Sequence, residues 1–218
     1  MTALDLSSPV AVVGTGTMGQ GIAQVALVAG HRVRLYDAVP GRAREAAETI
    51  GARLDRLVEK DRLTAADRDA ARARLLPAEE LAELADCSLV VEAVLERLDV
   101  KQELFRALED IVDEDCLLAT NTSSLSVTAI GGALRTPGRF VGLHFFNPAP
   151  LLPLVEVVSG FATDVTSATR AYEMARAWGK TPVACADTPG FIVNRIPRPF
   201  SAAPCAVEEV LSALIGAA

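Results

Sequence analysis

The spacing of apolar positions changes repeatedly along this chain, and the changes mark out its elements. "PVAVVG", from Pro9 to Gly14, is continuously apolar and stops at a glycine, which predicts a strand buried on both faces. From Thr17 to Ala29 the residues Met18, Ile22, Val25 or Ala26, and Ala29 recur at helical spacing on one stripe. "HRVRLYD" alternates Val33 and Leu35 with polar side chains and ends at Asp37, as a second strand does; His31 simply begins it. A long helix rich in Ala, Arg and Glu is expected over Arg42 to Lys60. "TAADRDAARARL" reads as a further polar helix with Thr64 placed to cap it.

The alternation then resumes. "CSLVVEAV" is a strand, Val100 to Val112 a helix and "CLLAT" a strand. "SVTAIGGAL" is a short helix, followed by the strands "RFVGLHFF" and "LVEVVS". Thr163 to Trp178 has Val165, Ala168, Tyr172 and Ala175 on one helical face, and "TPVACA" is a last strand. Strands alternating with helices predict an α/β fold, a doubly wound and mainly parallel sheet with helices on both faces. Beyond Asn194 the pattern breaks. Three prolines between Pro197 and Pro204 argue against a continuous helix there. Val207, Val210, Leu211 and Leu214 form one short apolar stripe, which needs something to pack against. A short irregular or helical tail is therefore expected, with self-association into a homo-oligomer as one use of its stripe.

Length and composition narrow the class. At 218 residues the chain suffices for one full domain with a small appendage. A net charge of −7 supplies no general basic field, so nucleic acid is not an expected partner. The four cysteines (Cys87, Cys116, Cys185 and Cys205) are scattered, with no CxxC and no histidine cluster. Neither a metal site nor a disulfide framework is suggested, and reduced thiols in a cytoplasmic protein are expected. "MTALDLSSP" lacks the basic segment of a secretory signal, and no apolar run approaches the roughly 20 residues of a membrane helix. No membrane partner is expected.

The first strand leads into chemistry. "VVGTGTMGQG" carries G-x-G-x-x-G at Gly14, Gly16 and Gly19, directly after a strand and opening a helix, and Asp37 ends the next strand. In that context the pattern points to a dinucleotide. Gly14 allows the tight turn, Gly16 lets the backbone approach a pyrophosphate, and Gly19 lets helix and strand pack closely. Thr17 and Met18 open the helix, whose free N–H groups and dipole favour phosphates. Asp37 can accept from an adenosine ribose diol and would repel a 2′-phosphate, so NAD is the expected cofactor. Arg34 and Arg42, close by in sequence, read as solvated surface arginines.

Five segments, taken together, resemble the L-3-hydroxyacyl-CoA dehydrogenase family: "GTGTMGQGIA", "VVEAVLERLDVKQELF", "ATNTSSLSV", "GLHFFNPAPLLPLVEVV" and "DTPGFIVNR". They fall in family order and cover about Pro9 to Phe200. The resemblance implies a Rossmann-like nucleotide-binding domain over 1–188 that also carries catalytic residues. It implies His144 as catalytic base, Glu156 as its partner, and Ser123 and Asn194 against the reacting part of the substrate. Glu96, Lys101 and Asn147 would border the cofactor, and Lys60 would help hold coenzyme A. The implied substrate is an acyl-CoA thioester, interconverted between its (3S)-3-hydroxy and 3-oxo forms. Family members usually continue as a helical domain after "FIVNR", so residues 189–218 read as a short remnant of it or a replacement.

Part of that assignment stands on the residues themselves. Oxidising a secondary alcohol needs a base for the hydroxyl proton, and histidine titrates near neutrality. A carboxylate on its second ring nitrogen fixes the tautomer and stabilises the imidazolium. If the two strands adjoin in matching register, His144 and Glu156 meet. Ser123, in "ATNTSS", sits at a strand end, where it could donate to the substrate oxygen or cap the following helix. Two other readings stay open: a related dehydrogenase of a small hydroxy or sugar acid, and a non-catalytic NAD-binding protein.

Overall fold

The computed structural model of the protein describes Leu6 and residues 8–195. The apolar stripe at Val207–Leu214 and Cys205 lie outside the described residues. In chain order the elements are β1 (Val10–Val13), α1 (Thr17–Val28), β2 (Val33–Tyr36), α2 (Arg42–Glu59), α3 (Ala65–Ala73), β3 (Leu75–Ala78) and β4 (Leu89–Glu92). There follow α4 (Leu98–Glu109), β5 (Leu117–Thr120), α5 (Val127–Gly131), β6 (Phe140–Phe145), β7 (Leu154–Ser159), α6 (Val165–Ala177) and β8 (Thr181–Ala186). They build one eight-stranded sheet in the order β3-β2-β1-β4-β5-β6-β7-β8.

Alternate side chains of each strand feed one of two cores. Val10 and Val12 of β1 face the layer of α1, α2 and α6, with Ile22, Ile50, Leu54 and Met174. Ala11 and Val13 face the layer of α4 and α5, with Phe105, Leu108 and Ile130. A strand buried on both faces has no polar side to show, which is why "VAVV" and "LVVE" read as unbroken runs. Thr64 caps α3 as its sequence position suggests, its side chain accepting from the Asp67 N–H. His31 is buried at the start of β2, edge-on to Trp178 with ring centroids 5.7 Å apart.

The pattern of periods missed two features. β3 escaped notice because "LLPA" is short and contains Pro77. It is the outermost strand beside β2, where a missing N–H costs nothing on the open side. The second feature is direction: β6 and β7 pair antiparallel, and β8 follows β7. Residues 146–153 alone join β6 to β7, whereas a parallel return needs a crossover of about a dozen residues or more. No helix among the described residues is long and apolar enough to cross a membrane.

The position of the site follows from the topology. Strand β1 is flanked by β2, whose chain order runs outward one way, and by β4, where it runs the other way. Open α/β sheets leave a crevice beyond the carboxyl ends of their strands at such a reversal. The glycine loop follows β1 at that end, and Ala93–Glu96 follow β4 beside it. At Gly19 a Cβ would come within 1.8 Å of the Gly14 carbonyl oxygen, which is backbone and has nowhere to go. Gly19→Ala is therefore expected to destabilise the fold by about 2 kcal/mol or more, on the scale of overpacking a well-filled core. Thermal denaturation of the variant beside Gly16→Ala, where φ is −66° and a Cβ would meet nothing within 4 Å, checks it, and an unchanged melting temperature for Gly19→Ala would contradict the close packing.

Candidate active site

The glycine loop has the shape a pyrophosphate requires. Gly14 adopts φ +97°, and a Cβ there would lie 2.6 Å from the Ala93 carbonyl oxygen. Around Gly16 a Cβ would meet nothing within 4 Å, so the backbone is open to a ligand. The first turn of α1 has no side-chain cap and no acidic residue. The N–H groups of its exposed Thr17 and half-buried Met18 belong to the turn that a helix leaves without internal partners. Asp37 lies beside this loop: its Oδ2 accepts from the Thr15 N–H (3.0 Å) and hydroxyl (2.6 Å), its Oδ1 from the Val39 N–H (3.0 Å). Burial works against the charge, but the Thr15 hydroxyl, the two N–H groups and the nearby Arg42 outweigh it and hold the carboxyl below its ordinary range. Arg34 turns away to grip Asp86 through two hydrogen bonds (2.8 and 2.7 Å). Arg42 borders a small cavity of about 240 Å³ with Thr15, Gly16 and Gln20.

The antiparallel register sets His144 directly opposite Glu156. The His144 Nδ1 lies 2.7 Å from Glu156 Oε2, with both residues buried. The other oxygen, Oε1, accepts from the backbone N–H groups of Ile192 and Val193, each at 2.9 Å. Burial raises the Glu156 carboxyl, yet the bonds from His144, Val193 and Ile192 lower it further, and it stays ionised. An ionised carboxylate only accepts, so Nδ1 carries a proton, and in the neutral imidazole Nε2 is the nitrogen with the free lone pair. Phe146 and Phe191 flank the imidazole, with ring centroids at 4.4 and 5.8 Å. Phe191 has φ +49°, an unusual conformation for a bulky side chain, directly after Gly190 at φ +79°. That turn delivers the two N–H groups to Glu156.

A second buried cluster shapes the facing wall. Lys101 is 1 % exposed on its side chain and bonds Glu92 Oε1 at 2.5 Å and Glu96 Oε2 at 3.2 Å. Glu92 is tied further by the Val94 N–H (2.7 Å) and the Thr120 hydroxyl (2.7 Å). Glu96 Oε1 gathers the loop after β5, accepting from the Thr122 hydroxyl (2.5 Å) and from the N–H groups of Ser123 (2.9 Å) and Ser124 (3.2 Å). Although burial opposes ionisation, the Thr122 hydroxyl, the Lys101 charge and the Ser123 N–H lower the Glu96 carboxyl to about 2. The neighbouring Asn121 fixes β6 by accepting from the Phe145 N–H (2.9 Å). The Asn194 side chain donates to the Ser123 carbonyl oxygen (3.1 Å) and so spans the two walls.

The walls enclose a cleft of about 620 Å³, and Met18, Glu96, Lys101, Ser123, His144, Asn147 and Asn194 all border it. Most residues singled out in the sequence are thus brought together. Lys60 is not among them; it is exposed at the C-terminal end of α2. Ser126, and not Ser123, caps α5, accepting from the Ala129 N–H. The Ser123 hydroxyl makes no hydrogen bond among the described residues. Thr15, Glu92, Asn121 and Phe191 were not singled out. All four stood in the quoted motifs, and Glu92 had a usable signal as the charged last residue of an otherwise apolar strand. Phe191 gave none, because nothing local announces its backbone conformation.

Comparison with known proteins agrees with this geometry. Residues 9–188 match the family described as 3-hydroxyacyl-CoA dehydrogenase, NAD binding domain. The chain is 48% identical over 205 residues to the 3-hydroxyadipyl-CoA dehydrogenase of Escherichia coli, covering 94% of this chain and 43% of that protein. It is 41% identical over 201 residues to a probable 3-hydroxybutyryl-CoA dehydrogenase of Deinococcus radiodurans, covering 91% of this chain and 72% of the relative. A crystal structure of (S)-3-hydroxybutyryl-CoA dehydrogenase from Ralstonia eutropha superposes with TM-score 0.84 at 37% identity, covering 87% of this chain and 67% of that one. The chain thus spans less than half of the first of these relatives and about two thirds to three quarters of the others.

The Glu96 carboxyl sets a pH dependence. Its ordinary value is 4.5 and its folded value about 2, so its stabilisation is full above pH 4.5 and is lost as pH falls towards 2. Glu96→Gln is expected to melt lower than the unaltered chain at pH 7, with the gap closing between pH 4.5 and 2. Parallel melting curves across that range check it; a gap that does not depend on pH would mean the charge contributes nothing.

Proposed function

The chain belongs to the 3-hydroxyacyl-CoA dehydrogenase family, and on that premise we propose that it interconverts a (3S)-3-hydroxyacyl-CoA thioester and the 3-oxoacyl-CoA. The observation that carries this reading is the His144–Glu156 pair at 2.7 Å, bordering the same cleft as Met18 of the nucleotide loop. NAD fits the donor set already described, the open backbone at Gly16 and the ionised Asp37, and when bound it supplies the hydride acceptor. Everything else falls to the chain. The free Nε2 of His144 takes the proton of the substrate's 3-hydroxyl, or returns it in the reductive direction. Glu156 holds the tautomer that leaves Nε2 unprotonated and stabilises the imidazolium that forms. The Ser123 hydroxyl and the Asn194 amide contact the substrate oxygen as it changes between hydroxyl and carbonyl. Glu96, Lys101 and Asn147 border the cofactor side, and Gly14, Gly19, Thr17 and Met18 shape and present the phosphate site.

Residues 1–188 are the nucleotide-binding unit in this reading. Lys60 is its outlying contact to the coenzyme A moiety, and the apolar residues Val207, Val210, Leu211 and Leu214, outside the described residues, serve self-association. Burial pushes the thiols of Cys87 and Cys116 up to about 12, so neither is a reactive thiolate. Cys87, Cys116 and Cys185 are free thiols, as in a reducing compartment, and on that ground we place the protein in the cytoplasm.

The test follows NADH absorbance with acetoacetyl-CoA for the unaltered chain and for His144→Gln. Loss of a positioned base is expected to lower kcat by about 10²- to 10⁴-fold. The dissociation constant for NADH, read by fluorescence, should stay within about twofold, since Gln fills similar space at the wall. Full turnover by the variant would remove His144 from the chemistry. NADH binding by the unaltered chain without turnover on any 3-oxoacyl-CoA would favour a non-catalytic NAD-binding role.

A further inference from the structure

Asp37 accepts three hydrogen bonds from the chain itself, two of them from one residue. Thr15 supplies its N–H at 3.0 Å and its hydroxyl at 2.6 Å to the same oxygen, Oδ2. Val39 supplies an N–H at 3.0 Å to Oδ1. An ionised carboxylate offers about four acceptor positions, so one remains, on Oδ1. Thr15 is itself fixed. It is 7 % exposed, and its carbonyl accepts from the Gln20 side chain (2.8 Å), whose oxygen in turn accepts from Arg53 (2.9 Å). The hydroxyl is therefore tied to both α1 and α2 through its own backbone, not loosely placed.

We propose that Thr15 is a specificity-determining residue, whose hydroxyl locks the Asp37 carboxylate in the orientation that accepts a ribose hydroxyl and excludes a 2′-phosphate. The inference rests on the NAD reading of the site and extends it to a residue inside the glycine motif. Preorganisation is the physical reason. A carboxylate already held in place loses no rotamer freedom when a ribose binds, and it cannot swing aside to relieve repulsion from a phosphate. Without the hydroxyl, the Val39 N–H restrains Oδ1 and the Thr15 N–H alone restrains Oδ2. The side chain then gains freedom to turn outward, towards Arg42 and solvent. Affinity for the ribose diol falls, while the barrier to a 2′-phosphate softens.

A residue that only shapes the turn would act on every dinucleotide alike, and that difference makes the idea testable. Dissociation constants for NADH and NADPH are measured by fluorescence titration on the unaltered chain, Thr15→Val and Thr15→Ser. Valine keeps the branched shape and the N–H but removes the hydroxyl; serine restores the hydroxyl. Thr15→Val should bind NADH about tenfold more weakly, the scale of fixing one otherwise free side chain on binding. It should bind NADPH no more weakly than before, so the preference for NADH falls by about tenfold, and Thr15→Ser should recover most of it. Equal weakening towards both nucleotides, or no change in either, overturns the proposal. If valine unfolds the loop, Thr15→Ala is read against Thr15→Ser by the same ratio. Failure of the unaltered chain to bind NADH would instead sink the NAD reading, and the inference with it.

Discussion

The Glu156 carboxylate is the constraint on which one wall of the cleft depends. A buried charge is tolerated only when its acceptor positions are filled, and here each oxygen is used for a different purpose. Oε2 holds the His144 imidazole, and Oε1 holds the backbone of Ile192 and Val193. One ionised group thus sets the tautomer of His144 and seats the segment that carries Asn194 against Ser123. The unusual φ of Phe191 belongs to the same arrangement. Charge-assisted bonds from two successive N–H groups are each worth about 1.5–3 kcal/mol, enough to offset the roughly 1–3 kcal/mol that such a backbone conformation costs.

The facing wall follows the same physics with different parts. Lys101 is buried almost completely, and its Nζ lies 2.5 Å from the carboxylate of the equally buried Glu92. Glu96 is the less buried partner, so it can serve both sides of its carboxylate. Oε2 completes the shell around Lys101, while Oε1 collects the Thr122 hydroxyl and the Ser123 N–H. The loop bearing Ser123 is consequently held from the cleft side by hydrogen bonds to one carboxylate, while Leu125 packs against the core behind it. Buried ion pairs contribute little net stability compared with apolar residues of the same volume, so the cluster is better understood as fixing geometry.

Much of this was legible in the chain, for identifiable reasons. β1, β4 and β5 were readable because burial on both faces leaves no room for polar side chains, so composition alone marks them. The glycine loop was readable because Gly14 and Gly19 answer steric demands no other residue meets, while Gly16 leaves the backbone open to a ligand, and Asp37 because it closes the next strand beside that loop. The His144–Glu156 pairing was readable because two strands with one polar residue each on an apolar face have few ways to satisfy both. What stayed hidden depends on contacts distant in sequence. Glu92 makes sense only once α4 brings Lys101 back over the sheet. The anchoring of Ile192 and Val193 needs a backbone conformation that local sequence does not encode. β3 was lost to Pro77, which is disfavoured within a sheet and acceptable only at an edge the sequence does not reveal.

The reversal at β7 explains how so short a connection places the dyad. His144 lies near the carboxyl end of β6, the edge where an open sheet binds its ligand. Had β7 run parallel, a residue opposite His144 would have fallen near its far end, after a long crossover. Running antiparallel, β7 presents Glu156 two residues after its start, within one hairpin of the histidine it serves. The connection between them is itself held, because Lys180 donates to the carbonyls of Ala149 (2.6 Å) and Leu152 (3.1 Å). That connection carries Asn147 to the cleft border. The parallel strands build the crevice for the dinucleotide, and the single antiparallel turn brings the His144–Glu156 pair to its rim.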